Sequence, residues 1–297
     1  MSAHQSVDRT ALIALIFGAA CIGFAPIFAY ESEVGPSATG FWRIALVVPV
    51  FWLLMRREAA KDLSPMPATR REKNKLILGG VLFAIDIAIW HWSLQYTTVA
   101  NATLIANMTP IVVALGSVLL FGERLSRRFY GGLALSMMGI LLLSYRSLQV
   151  GGGRLEGDAM ALTAALFYGS YLLTLGRLRL RFSTSTVMAW TGLASSVVLV
   201  PMAYFSGEQF FPQTAEGWGI IIALAVVAQL LGQWLIAYAM AHLPAAFGAL
   251  TLLVQPVVAA VVAWSVLGQT LGALEFLGAG IIMSGIVLAR MGTIKKP

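Results

Sequence analysis

The chain has 297 residues, of which 59% are hydrophobic and only 11% charged, and it carries a formal net charge of +7. A soluble domain carries about 25% charged residues, so a chain this apolar cannot cover a water-facing surface and takes a lipid bilayer as its solvent. The positive charge flanks apolar runs rather than forming a water-exposed basic face, which excludes nucleic acid as the partner.

A spanning helix needs about 20 apolar residues. In chain order the runs fall at 10–30, 36–55, 75–95, 99–121, 129–147, 157–176, 184–206, 217–238, 245–267 and 271–291. They predict an all-α integral membrane protein with ten transmembrane helices. The first run is read as an uncleaved helix, because the apolar runs continue beyond it to the end of the chain. Cys21 is the one cysteine, so no intramolecular disulfide forms. His4, His91 and His242 are too few and too scattered for a metal site, and no cofactor is expected.

With ten helices, 17 of the 20 Lys and Arg fall on one side: Arg9, the loop from Arg56 to Lys75, Arg124, Arg127, Arg128, Arg177, Arg179, Arg181, Arg290, Lys295 and Lys296. The other side receives Arg146 and Arg154 with most of the carboxylates, and Arg43 lies inside the second helix. Basic residues prefer cytoplasmic loops. Both termini are therefore expected in the cytoplasm, in a multi-pass protein of a bacterial-type inner membrane.

Shifted by 146 residues, the sequence aligns with itself. Ala100, Pro110, Gly122, Gly132 and Gly139 match Ala246, Pro256, Gly268, Gly278 and Gly285. The chain divides into two homologous halves, 1–148 and 149–297, of five helices each. Five is odd, so the second half enters the membrane inverted, an architecture in which solute sits near the midplane between repeats. Pro110 and Pro256, at equivalent depths, each remove a helix hydrogen bond. They are candidate hinges, with passive kinks as the alternative. Gly132/Ser136 and Gly280/Ser284, each four apart, allow close helix approach, within a monomer or in a dimer.

The stretch Trp92-Ser-Leu-Gln-Tyr96-Thr97, with Pro110, Gly122-Glu123-Arg124-Leu125, Gly132 and Gly139, resembles the first EamA-type repeat of the drug/metabolite transporter superfamily. Arg43, in Phe-Trp-Arg-Ile-Ala-Leu, is similar to that repeat's second-helix arginine. The second repeat departs from the pattern at Gly268-Gln269, where the family usually has Gly-Glu. Among the branches, YddG-like exporters of aromatic and other amino acids are the nearest resemblance. It implies a secondary transporter of small solutes.

Charge inside a helix is costly and marks sites. Arg43 and Asp86 lie at roughly 10 and 13 Å from the non-cytoplasmic ends of their helices. They are candidates for an ion pair, structural or coupled to transport, or for recognising a carboxylate or an amine. Asp86, Trp90 and Ser93 share a helix face, with His91 about 140° round from Asp86. His91 is a proton-linked candidate or a packed residue. Asn107, Gln229, Gln233 and Gln255 lie at mid-depth, where they could line a hydrated cavity or bond neighbouring helices. Trp90, Tyr168, Tyr171, Trp190 and Trp234 lie deeper than interfacial aromatics and suit an aromatic or cationic solute, or core packing.

Three functions compete: secondary export of amino acids, aromatic and other neutral ones favoured, or of related metabolites; efflux of lipophilic cations or drugs; and a membrane-embedded enzyme. The sequence has no Gly-x-Ser-x-Gly, His-Glu-x-x-His or Gly-x-x-x-x-Gly-Lys motif, which disfavours the enzyme and direct ATP drive.

Overall fold

The computed structural model describes residues 8–97, 99–145, 155–267 and 272–293. The expected boundary between the halves, at 148/149, lies outside the described residues, as do Arg146, Arg154, Gln269, Lys295 and Lys296. The described elements are helical: α1 (Arg9–Tyr30), α2 (Pro36–Ala60), α3 (Arg70–Tyr96), α4 (99–121), α5 (Arg127–Leu143), α6 (Leu155–Arg179), α7 (Thr184–Phe205), α8 (Ala215–Ala239), α9 (245–267) and α10 (Ala273–Thr293). Nine of them, all but α5, are long and apolar enough to cross a membrane. With 17 residues, α5 is the short one.

Some helices outrun their apolar stretches. α2 continues through Arg56, Arg57 and Glu58 to Ala60. α3 starts at Arg70, where Thr69 and Glu72 form a reciprocal capping box. Hydropathy marks what lipid can surround, whereas caps mark where the helix ends.

Four helices are interrupted just ahead of a proline. α1 breaks at Phe24 before Pro26, and α2 at Leu46–Val47 before Pro49. α4 breaks at Asn107–Met108 before Pro110, and α9 at Leu252–Leu253 before Pro256. Proline fits the first turn of the resumed helix but cannot donate back across the break. In α4, Thr109 Oγ1 takes over the carbonyl that Pro110 frees, donating to Ala106 O at 2.8 Å, and Asn107 Nδ2 adds a second donor, at 2.7 Å, to Thr103 O, which already accepts from Asn107 N. α8 has a different irregularity, a π-helical stretch from Ala225 to Gln233.

Packing follows the internal repeat. α3 packs on α6 and α7; α1 packs on α8 and α9; α4 packs on α6 and α9; α2 packs on α7 and α8; α5 packs on α10. Exchanging each helix for the one five places away maps this set onto itself. α5 and α10 cross antiparallel: a Cβ on Gly132 would strike Gly285 O, and one on Gly139 would strike Gly278 O. Ser136 Oγ donates to Ile282 O at 3.3 Å, and those two residues are themselves 146 apart. Gly280 is different. Nothing lies within 4 Å of a Cβ there, and Ser284 is exposed, bonding back to Gly280 O at 2.8 Å. The close approach expected of Gly280/Ser284 is made instead by Gly278 and Gly285.

Two clusters of carboxylates tie the helix ends. At the basic end, Glu58 accepts from Ser183 Oγ and Ser185 Oγ, and Arg181 pairs with Glu72. At the opposite, acidic end, Glu208 accepts from Ser37 N (2.8 Å), Ser37 Oγ (3.0 Å), Ala38 N (3.1 Å) and Trp92 Nε1 (3.1 Å). Glu33 accepts from Gln213 N at 2.9 Å and from Thr214 Oγ1. Ser37 and Ser183 are equivalent at the repeat offset, so each of the packed helices α2 and α7 has its N-terminus held by a glutamate from the far end of the other.

Candidate functional site

A cavity of about 150 Å³ lies between the halves, lined from α1, α2, α3, α4, α6, α8 and α9. Its walls follow the repeat. Ile22 and Tyr168, Ile87 and Gln233, Thr103 and Ala249, Asn107 and Leu253, Thr109 and Gln255, and Pro110 and Pro256 all line it, and each is a pair at the 146-residue offset.

The cavity departs from that symmetry in one direction. Pro26, Arg43, Asp86, Trp90 and Ala259 extend it toward the acidic end. Their counterparts toward the basic end, Leu172, Ala189, Gly232, Ile236 and Val113, are all buried, with the four side-chain-bearing ones at 0% exposure. The void therefore reaches toward the acidic end and is shut toward the basic end. Tyr171 (1% exposed) lies behind the lining residues, stacked on Phe83 with ring centroids 4.6 Å apart and accepting at its hydroxyl from Gln233 Nε2 at 3.1 Å.

Of the sequence candidates, Arg43, Asp86, Trp90, Asn107, Tyr168, Gln233, Gln255, Pro110 and Pro256 come together on this cavity. The expected direct ion pair does not form. Arg43 Nε donates to Gln229 Oε1 at 3.3 Å instead, and Asp86 is near enough to interact with it electrostatically without contact. An arginine and an aspartate thus line one void without pairing directly with each other.

The other candidates lie off the cavity. His91 is 4% exposed, its Nδ1 2.7 Å from Ile87 O and its ring edge-on to Trp90 at 4.9 Å. Trp190 meets Trp52 in a tilted pair at 6.0 Å, and Trp234 stacks on Tyr238 at 6.1 Å. Gln229 acts behind the wall, orienting Arg43. Its placement owes something to the π-helical stretch, which apolar periodicity does not reveal; such stretches recur at functional sites. Glu208 was also hidden from sequence reasoning, because a loop carboxylate looks like any other until its partners are known. Among the described residues, no three His, Cys, Asp or Glu side chains are grouped to hold a metal.

The EamA-like transporter family matches the chain twice, over residues 9–145 and 155–291. The pseudopaline exporter CntI of Pseudomonas aeruginosa is 28% identical over 255 residues, covering 84% of each chain. A Streptantibioticus cattleyicolor protein described as a "Probable terminal-alkyne amino-acid exporter" is 25% identical over 258 residues, 85% of this chain and 82% of that one. A solved crystal structure superposes with a TM-score of 0.76 at 17% identity, covering 95% of this chain and 96% of that one, a likeness of fold alone.

Proposed function

Because the chain belongs to the EamA-like transporter family, we propose that it is a secondary exporter of amino acids or closely related zwitterionic metabolites. The carrying observation is the unpaired presentation of Arg43 and Asp86 to one cavity flanked by Trp90 and Tyr168. A carboxylate on Arg43 and an ammonium on Asp86 would each replace water with a charge-assisted hydrogen bond. The aromatic rings and apolar wall would hold a neutral or aromatic side chain. The exporter names of the two relatives, one of them an amino-acid exporter, support the direction and the solute class.

The mechanism follows from the repeat. α5 completes a set of ten spanning helices, in two inverted halves related by the exchange that preserves the packing. The antiparallel crossing of Gly132 with Gly285 and of Gly139 with Gly278 supports that inversion. The basic end faces the cytoplasm, so the cavity as it stands opens outward, in a release state. Bending at the breaks before Pro110 and Pro256 would close the acidic end and open the basic one, exposing the mirror-image wall around Gly232 and Val113.

A second reading, efflux of lipophilic cations, is favoured by Asp86 beside Trp90 and Tyr168. Arg43 in the same cavity weighs against it, since it repels a solute that brings only positive charge. Flux of labelled amino acids and of an organic cation into liposomes carrying the purified protein separates the two. Amino-acid flux above empty liposomes is expected, and flux of the cation alone would replace this reading with the second.

A further inference from the structure

Two amides at the floor of the cavity carry more hydrogen-bonding capacity than the protein uses. Gln233 is 1% exposed. Its Nε2 donates to the Tyr171 hydroxyl at 3.1 Å, and its Oε1 is buried without a partner. Gln255 reaches toward the Tyr168 hydroxyl, but its buried Nε2 makes no hydrogen bond of good geometry. Both residues line the cavity. The rings of Tyr168 and Tyr171 stack with centroids 6.1 Å apart. Gln255, Tyr168, Tyr171 and Gln233 therefore form one ladder across α9, α6 and α8.

Buried polar atoms are nearly always paired, and an orphaned one is penalised far more than a made bond is rewarded. A free acceptor and a free donor beside one void are what a ligand's own donor and acceptor would complete. Which end of each amide is nitrogen is assigned from its neighbours, but either assignment leaves one unmet end on each residue. No ionisable carboxylate or amine belongs to the ladder, so it suits an uncharged group.

The ladder borders the charges on their basic side. Gln233 lies four residues, about 6 Å, beyond Gln229, the partner of Arg43, toward the basic end of α8. Resting on the reading of Arg43 and Asp86 as the site for a zwitterionic head, we propose that Gln233 and Gln255 form a second subsite. It takes an uncharged group carrying both a donor and an acceptor, of which a carboxamide is the simplest, at the other end of the solute. The preferred cargo is then an amino acid with a hydrogen-bonding tail rather than a hydrocarbon one. A site built around hydrogen bonds discriminates strongly against analogues that lack them.

The test compares glutamine with methionine, which are close in size, as competitors of amino-acid flux in liposomes. For the wild-type protein, glutamine should compete at least about tenfold better. In Gln233→Met and Gln255→Met that preference should fall by about tenfold or more, and thermal unfolding in detergent shows separately that each variant folds. A parallel measurement uses benzamide, which carries the amide without an amino-acid head, and should raise the melting temperature of wild-type protein more than that of either variant. If amino acids are not carried at all but benzamide stabilises only the wild type, the reading of the head-group site falls and the amide subsite stands. Equal competition by glutamine and methionine, or a preference untouched in both variants together with equal benzamide effects, overturns the proposal.

Discussion

In the first half, Arg43 and Asp86 bring ionisable side chains to the cavity; at the equivalent positions of the second half, Ala189 and Gly232 are buried between helices. The second half contributes amides instead, Gln233 and Gln255, opposite Ile87 and Thr109 of the first. The scaffold is duplicated while its chemistry has diverged. A symmetric cavity would hold a solute equally well in two inverted poses. On the proposed function this one would hold it in a single pose, charged head toward one end and tail toward the other. In that mechanism the difference between the halves would carry specificity, and their likeness would let the cavity change sides.

The largest expected effects come from erasing the charges of the first half. Arg43→Leu leaves Asp86 facing the void alone and removes the partner of Gln229. We expect transport to fall by about 30-fold or more, the usual consequence of truncating one member of a desolvated charged set. Asp86→Asn keeps the shape and loses only the charge. Apparent affinity should fall by about 10- to 100-fold, as when a hydrogen bond to a charged group is lost. Initial rates in liposomes over a range of solute concentrations measure both. Wild-type rates in Asp86→Asn would make that carboxylate structural.

A second comparison concerns glycines. Gly132 and Gly280 both head a small-residue pair in the sequence, but only Gly132 meets a neighbouring backbone. Gly132→Ala should destabilise the protein by about 1–3 kcal/mol through overpacking against α10. Gly280→Ala should stay within about 0.5 kcal/mol of wild type. Thermal unfolding of the two variants in one detergent gives the contrast directly.

These glycines also show what the sequence made legible. The offset of 146 aligned Gly132 and Gly139 with Gly278 and Gly285, but it could not say that their packing partners cross over, Gly132 on Gly285 and Gly139 on Gly278. Nine of the expected spans were legible because lipid imposes a length and a polarity on each. Arg43 and Asp86 stood out because charge in hydrocarbon is rare. Helix periodicity could say that Asp86 and Trp90 share a face, but not that Arg43 would turn to Gln229. That contact joins residues 186 apart through a π-helical stretch. Deep aromatics were legible by depth only. Trp190 and Trp234 are as deep as Tyr168, yet they pack on Trp52 and Tyr238, and depth says nothing about which neighbour a ring meets.

The smallest expected effect is at the acidic end, where Glu33 has no counterpart in chemistry at the basic end. Donation from Thr214 Oγ1 and from Gln213 N holds its carboxyl below the ordinary glutamate value. A lowered value in the folded protein means the contact is intact above the ordinary pKa of about 4.3. It is lost as pH falls through the lowered one. Wild type should therefore melt slightly above Glu33→Gln at neutral pH, and the gap should close toward about pH 3. A gap that widens on acidification would contradict the sign.

The account turns on whether one solute engages both charges of the first half at once. Competition against labelled phenylalanine in liposomes, by unlabelled phenylalanine, by the amine lacking its carboxylate and by the acid lacking its ammonium, measures this most directly. The zwitterion should compete at least about tenfold better than either fragment, since each fragment forfeits a charge-assisted bond and leaves one buried charge unmet. An amine that competes as well as the zwitterion would contradict the account and leave Arg43 without a role in recognition.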